Sequence, residues 1–100
     1  MTIRHTVIWK LKAEDPQEKA AVAADIRERV EALAEVIPQV HNLSVRSSDA
    51  GLPTSGDVIL EAEFDNLEDM QTYLTHPEHV AGVDYVKALV TAGLTVDYLL

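Results

Sequence analysis

Ile3-Arg4-His5-Thr6-Val7-Ile8-Trp9-Lys10-Leu11 alternates along its whole length. Ile3, His5, Val7, Trp9 and Leu11 fall on one side, and Arg4, Thr6, Ile8 and Lys10 on the other. Successive side chains of a strand point to opposite faces, so this period of two reads as a β-strand with one strongly apolar side. Residues 57–64 repeat the pattern. Val58, Leu60, Ala62 and Phe64 face one way, and Asp57, Ile59, Glu61 and Glu63 face the other. Two strands of this kind each need one face covered.

The segments around them supply the cover. Asp15-Pro16-Gln17-Glu18 reads as a helix start, with Asp15 as cap, Pro16 at the first helical position and Glu18 closing a capping box. Val22, Ile26, Val30 and Leu33 recur at helical spacing, with Ile37 just beyond; Glu28, Glu31 and Glu35 lie on or near the wet side. Pro38 ends the helix, because the residue before a proline avoids the α region. Residues 40–47 form a second strand with Leu43 and Val45 on one face, and 47–56, holding Asp49, Gly51, Pro53 and Gly56, form a loop. Asp65-Asn66 caps a short helix carrying Leu67, Met70, Tyr73 and Leu74, and His76-Pro77 interrupts it. A further helical segment opens at Pro77, with His79, Val83, Val86 and Val90 in one stripe and Gly93 placed to end it. Residues 94–99 read as the last strand. The order β-α-β-β-α-β predicts one α+β domain over residues 1–100, a ferredoxin-like fold whose helices cover one face of a four-stranded antiparallel sheet.

Bulk composition narrows the function. The chain has 100 residues, 47% hydrophobic and 25% charged, which is ordinary globular composition. Its net charge of -9 repels phosphate backbones and anionic lipid, so neither nucleic acid nor membrane is an expected partner. Without cysteine there is no disulfide, thiolate metal site or cysteine nucleophile. No signal-like start and no long apolar run appear, so the expected address is the cytoplasm.

One sheet face remains bare. It carries Arg4, Ile8 and Lys10 from the first strand, Ile59, Glu61 and Glu63 from the third, and Val96 and Tyr98 from the last. Stacking two copies would shield Ile8 and Ile59 in a self-matching contact, with Arg4 and Lys10 meeting Glu61 and Glu63 across the space between sheets. The alternative is a monomer with one wet sheet face. A homodimer is the reading adopted.

The quoted segments together resemble the stress-responsive A/B barrel (Dabb) family of dimeric α+β barrel proteins. The likeness rests on residues 3–7, Lys10-Leu11-Lys12, Ile37-Pro38, Tyr73-Leu74-Thr75-His76-Pro77-Glu78-His79-Val80 and Val96-Asp97-Tyr98, and spans nearly the whole chain. It implies the ferredoxin-like fold and a face-to-face dimer. One plant branch of the family cyclises linear polyketides without metal or organic cofactor. Carried over, that chemistry implies His79 as base, Tyr73 as the group that positions or polarises substrate, and His5 lining the same pocket. Val58 stands where that branch has a further pocket histidine, and small residues replace its first-helix aromatics near Val22 and Ile26.

The residues read on their own frame the same site. His5 lies among Ile3, Val7 and Trp9, either in a ligand pocket or as a core histidine satisfied by a carbonyl or carboxylate. His79 begins an apolar stripe and needs an orienting acceptor, for which Asp97 is the candidate. Asp97 can approach His5 or His79, or pair with Arg4 or a backbone amide. Tyr73 can aim its hydroxyl into the pocket or serve as core. Val7, Trp9, Val58, Leu60 and Val83 form the expected apolar lining for a small apolar or aromatic molecule. His76 reads as structural, its pairing with His79 being no specific metal signature, and His41 reads as a solvated strand-end residue. No metal or cofactor is expected. Two functions follow: cofactor-free acid/base catalysis of aldol-type cyclisation or isomerisation, with Asp97 orienting His79, or a non-catalytic small-molecule-binding or stress-response dimer.

Overall fold

A computed structural model describes residues 1–49 and 51–100, so Ala50 of the expected 47–56 loop lies outside the described residues. In chain order the elements are β1 (Ile3–Leu11), α1 (Pro16–Glu31), α2 (Leu33–Val36), β2 (His41–Ser47), β3 (Val58–Phe64), α3 (Leu67–Thr75), α4 (Pro77–Lys87) and β4 (Val90–Leu99). The four strands form one antiparallel sheet in the order β2-β3-β1-β4. This is the ferredoxin-like arrangement expected from the strand and helix order.

The apolar faces of β1 and β3 lie under the helices. Leu60, Ala62 and Phe64 join Ile26 and Val30 of α1, Val45 of β2, Tyr73 of α3 and Val86 of α4 in one buried core. Burying a large aliphatic or aromatic side chain of this kind stabilises the fold by about 1.5–3 kcal/mol each.

Asp15 and Asn66 cap the helix starts as read, though among the described residues no Glu18 side-chain bond closes the expected capping box. The Asp15 carboxylate accepts from the Gln17 and Glu18 N–H groups, both at 3.1 Å. Asp15→Ala leaves those amides to water, and a loss of about 1 kcal/mol is expected in urea unfolding. The Asn66 side chain accepts from Asp69 N–H at 2.8 Å. His76 caps α4, its Nδ1 accepting from Glu78 N–H at 3.1 Å. The first helix, expected in one piece, breaks at Ala32 into α1 and α2.

Two expectations are corrected at the elements' ends. The last helix stops at Lys87, and Val90 and Gly93 belong to β4. The reason is pairing with β1, which begins where Lys12 N–H donates to Leu89 O at 2.9 Å and passes a register shift between Lys10 and Leu11. Gly93 serves packing instead: a Cβ there would sit 3.1 Å from Trp9 Cδ1, so the indole lies against bare backbone. Glu31, near the wet side as read, also accepts from the Val45 N–H of edge strand β2 at 2.9 Å and from Arg27 Nε at 3.2 Å. Asp57, just before β3, holds Leu11 N–H at 2.8 Å and Lys19 Nζ at 3.1 Å. Partial burial works to raise this carboxyl, but those two donors outweigh it and hold Asp57 below the usual range.

The other sheet face is uncovered. Ile8, Leu94, Val96 and Tyr98 are 40%, 71%, 59% and 48% exposed there. Arg4 does not wait for a second molecule, since its guanidinium already pairs with Glu61 at 3.1 Å and Glu63 at 3.5 Å in its own sheet. No described helix is long and apolar enough to cross a membrane.

Candidate functional site

Between the helix side of the sheet and the helices lies a cavity of about 380 Å³. From β1, His5, Val7 and Trp9 reach it at alternate positions, and Leu60 reaches it from β3. Tyr73 enters from α3, and His79, Val83 and Val86 enter from one stripe of α4. Gly93 and Thr95 of β4 close the sheet side.

The aromatic groups stand in a row. Tyr73 is 1% exposed, with its ring centroid 4.4 Å from that of His79 and 6.3 Å from that of His5. Phe64 backs the row, 5.1 Å from Tyr73 and 6.1 Å from His5. Burial pushes the Tyr73 hydroxyl up to about 12, so the phenol stays protonated at neutral pH and retains an O–H that can donate.

The two imidazoles are held differently. Antiparallel pairing of β1 with β4 sets His5 opposite Asp97, and His5 Nδ1 meets Asp97 Oδ1 at 2.5 Å. His79 instead donates its Nδ1–H to Leu74 O at 2.9 Å. That carbonyl is free because Leu74 lies in the last turn of α3, where helix carbonyls lack an onward partner, and His76-Pro77 turns the chain back toward it. A carbonyl only accepts, so the proton sits on Nδ1 and Nε2 keeps its lone pair in the neutral ring. Burial lowers the His79 pKa; the Leu74 bond opposes this, and the charges of His5 and His76 add to the lowering.

Asp97 is therefore not the orienter of His79. It lies outside the cavity lining and behind His5, while the Leu74 carbonyl fills the role expected of it. Val58 is also corrected. At 2% exposed it is core, and the cavity lies over β1 and β4, so only Leu60 of β3 reaches it. His5, Tyr73, His79, Val7, Trp9, Leu60 and Val83 are brought together. His41 is exposed at the start of β2, 3.5 Å from Asp65. Leu74, Thr95 and Lys87 were not foreseen as site residues; Thr95 shared its strand face with Asp97 and was the one legible by alternation. Among the described residues, no three His, Asp or Glu side chains group as a metal site.

Three shifted groups shape the pH profile of stability; Asp57 is depressed, so its contribution is full above its ordinary 3.8 and is lost as pH falls through the folded value. His79 is depressed, so its contribution is full above its ordinary 6.5 and is lost as pH falls through the folded value. Tyr73 is raised, so its contribution is full below its ordinary 10.0 and is lost as pH rises toward about 12. Urea unfolding across pH is expected to show both limbs, with His79→Gln removing the part of the acid limb nearest 6.5 and leaving that of Asp57, and Tyr73→Phe flattening the alkaline one.

The family model described as the stress responsive A/B barrel domain matches residues 3–100. A dimeric protein of unknown function and ferredoxin-like fold from Bacteroides fragilis NCTC 9343 is 33% identical, covers 99% of this chain and 96% of its own, and superposes with a TM-score of 0.86. A Dabb family protein with a ferredoxin-like fold from Mesorhizobium loti MAFF303099 is 25% identical over 99% of this chain and 96% of its own, TM-score 0.77. A hydroxynitrile lyase from Passiflora edulis shares the fold at 13% identity, covering 99% of this chain and 93% of its own, TM-score 0.82. No curated protein matches the chain.

Proposed function

This chain belongs to the stress responsive A/B barrel domain family, and on that premise we propose a homodimer whose protomers each bind a small apolar or aromatic molecule in the cavity and move a proton on it without a cofactor. The observation that carries the chemistry is His79, half-buried, its Nδ1–H tied to Leu74 O and its Nε2 left as a base beside Tyr73. Its depressed pKa keeps it neutral at pH 7.

The step is proton abstraction from carbon next to a carbonyl. His79 Nε2 takes the proton, and the carbon–hydrogen electrons move to the carbonyl oxygen as an enolate. The Tyr73 hydroxyl donates to that oxygen, while His5, steadied by Asp97, lines the same pocket. The enolate then closes an aldol-type ring, as in polyketide cyclases, or is reprotonated elsewhere in an isomerisation. A hydroxynitrile lyase on the same fold supports catalysis on this scaffold. Binding without turnover is the second reading, favoured by Val58 where the cyclase branch has a histidine.

The Bacteroides relative's dimeric state and the exposed Ile8, Leu94, Val96 and Tyr98 support the assembly. Sedimentation is expected to give twice the 11.0 kDa chain mass; a lone chain at micromolar concentration would remove the dimer from the reading. For the chemistry, phenylacetone in deuterium oxide is the probe. The protein is expected to accelerate exchange of the protons beside the ketone beyond an equal concentration of free imidazole. No acceleration despite binding would leave the non-catalytic reading.

A further inference from the structure

Acidic side chains outnumber Lys and Arg by 17 to 8 in this chain, yet among the described residues no Asp or Glu lines the cavity. The one Lys or Arg that lines it is Lys87. Lys87 is exposed at the last position of α4, and it enters no ion pair among the described residues. Part of its value there is to offset the partial negative charge of the helix end. That role does not require it to border the cavity.

The cavity has two ends. From His79 to Lys87 the helix rises about 12 Å at 1.5 Å per residue, and from His5 to Trp9 the strand runs about 13 Å at 3.3 Å per residue. One end carries His5, Tyr73 and His79. The other carries Lys87 and the Trp9 indole packed on Gly93. Helical side chains lean toward the N-terminus, so the lysine stem reaches back from its Cα toward the middle of the cavity.

We infer that the ligand is an apolar or aromatic carboxylate about 10 Å long, a length set by these rises, with its acid group at Lys87, its body along Trp9, Val83 and Val86, and its reacting carbon at His79. This rests on the proposed binding cavity and deepens it. A single ammonium matches a single negative charge. A doubly charged phosphate would leave excess negative charge in a protein whose net charge is already -9.

Trp9 is the only tryptophan, so its emission reports occupancy directly. The probes are 5-phenylpentanoate and its neutral isostere 5-phenylpentanamide, titrated into the full chain at pH 7 with calorimetry alongside. The acid is expected to bind about tenfold tighter than the amide, the scale of one charge-assisted hydrogen bond. Lys87→Met should bring that ratio to about one, and Lys87→Arg should keep most of it, both estimates following from the same bond. Arg27→Met, which removes one positive charge from an exposed side chain outside the cavity lining, should leave the ratio unchanged. Equal binding of acid and amide, or a preference that survives Lys87→Met, overturns the inference and leaves the cavity as a binding site. Binding of neither probe by either readout overturns the cavity reading and this inference with it.

Discussion

Replacing His79 by glutamine is expected to slow phenylacetone exchange by about 10²–10⁴-fold, the range for loss of a positioned general base. Glutamine keeps an N–H donor for Leu74 O, which His79 Nδ1 meets at 2.9 Å, so the local fold is retained. It supplies no basic nitrogen. Because the base is lost while walls and charge partner stay, 5-phenylpentanoate binding followed at Trp9 should change little. Loss of exchange with binding intact is therefore the expected pair of results. Tyr73→Phe should act on the same step more mildly, since the phenol donates rather than abstracts, and its pKa of about 12 keeps it protonated. Wild-type exchange in His79→Gln would remove His79 as the base.

Truncating Phe64 to alanine is expected to cost about 3–5 kcal/mol of stability. Phe64 is 0% exposed and ends β3 against both Tyr73 and His5. Against a total of about 5–15 kcal/mol for a domain of this size, that loss brings the chain close to unfolding at moderate urea. The midpoint should fall with the slope of the transition unchanged, measured at one fixed protein concentration so that any association cancels. The row of rings also loses its back wall, so Tyr73 and His5 lose alignment even where the fold survives. A shift below about 1 kcal/mol would mean that the surrounding residues collapse into the space, which the close-packed core argues against.

How far the sequence could be read depends on what each residue answers to. β1 and β3 were legible because each buries one face, and burial writes a period of two. β4 was legible only from 94 onward. Its first residues alternate poorly, and Gly93 imitates a helix stop, whereas the pairing with β1 that extends it to Val90 is non-local. The break at Ala32 left no mark, since good helix formers stand on both sides. In the site, face parity placed His5, Val7, Trp9 and Leu60 on the correct side of the sheet. Parity does not say where along or across the sheet a cavity opens, and so Val58 was assigned to a lining it does not join. Asp97 illustrates the same limit: whether it meets His5 or His79 is a matter of strand register, which only the paired structure supplies. The acceptor that His79 does use is a backbone carbonyl, freed by the turn at His76-Pro77, and side-chain identity carries no trace of it.

Glu31 bears on a different property, resistance to runaway association. An edge strand with open amides is a template on which another chain can add strand after strand. By reaching from α1 to the Val45 amide, Glu31 withdraws one of the outward donors of β2 from that use. The opposite margin, the ten residues of β4, has no such guard among the described residues. Strand addition to this chain is thus favoured at β4 over β2, and removal of the Glu31 carboxylate would return the Val45 amide to the β2 edge and narrow that difference.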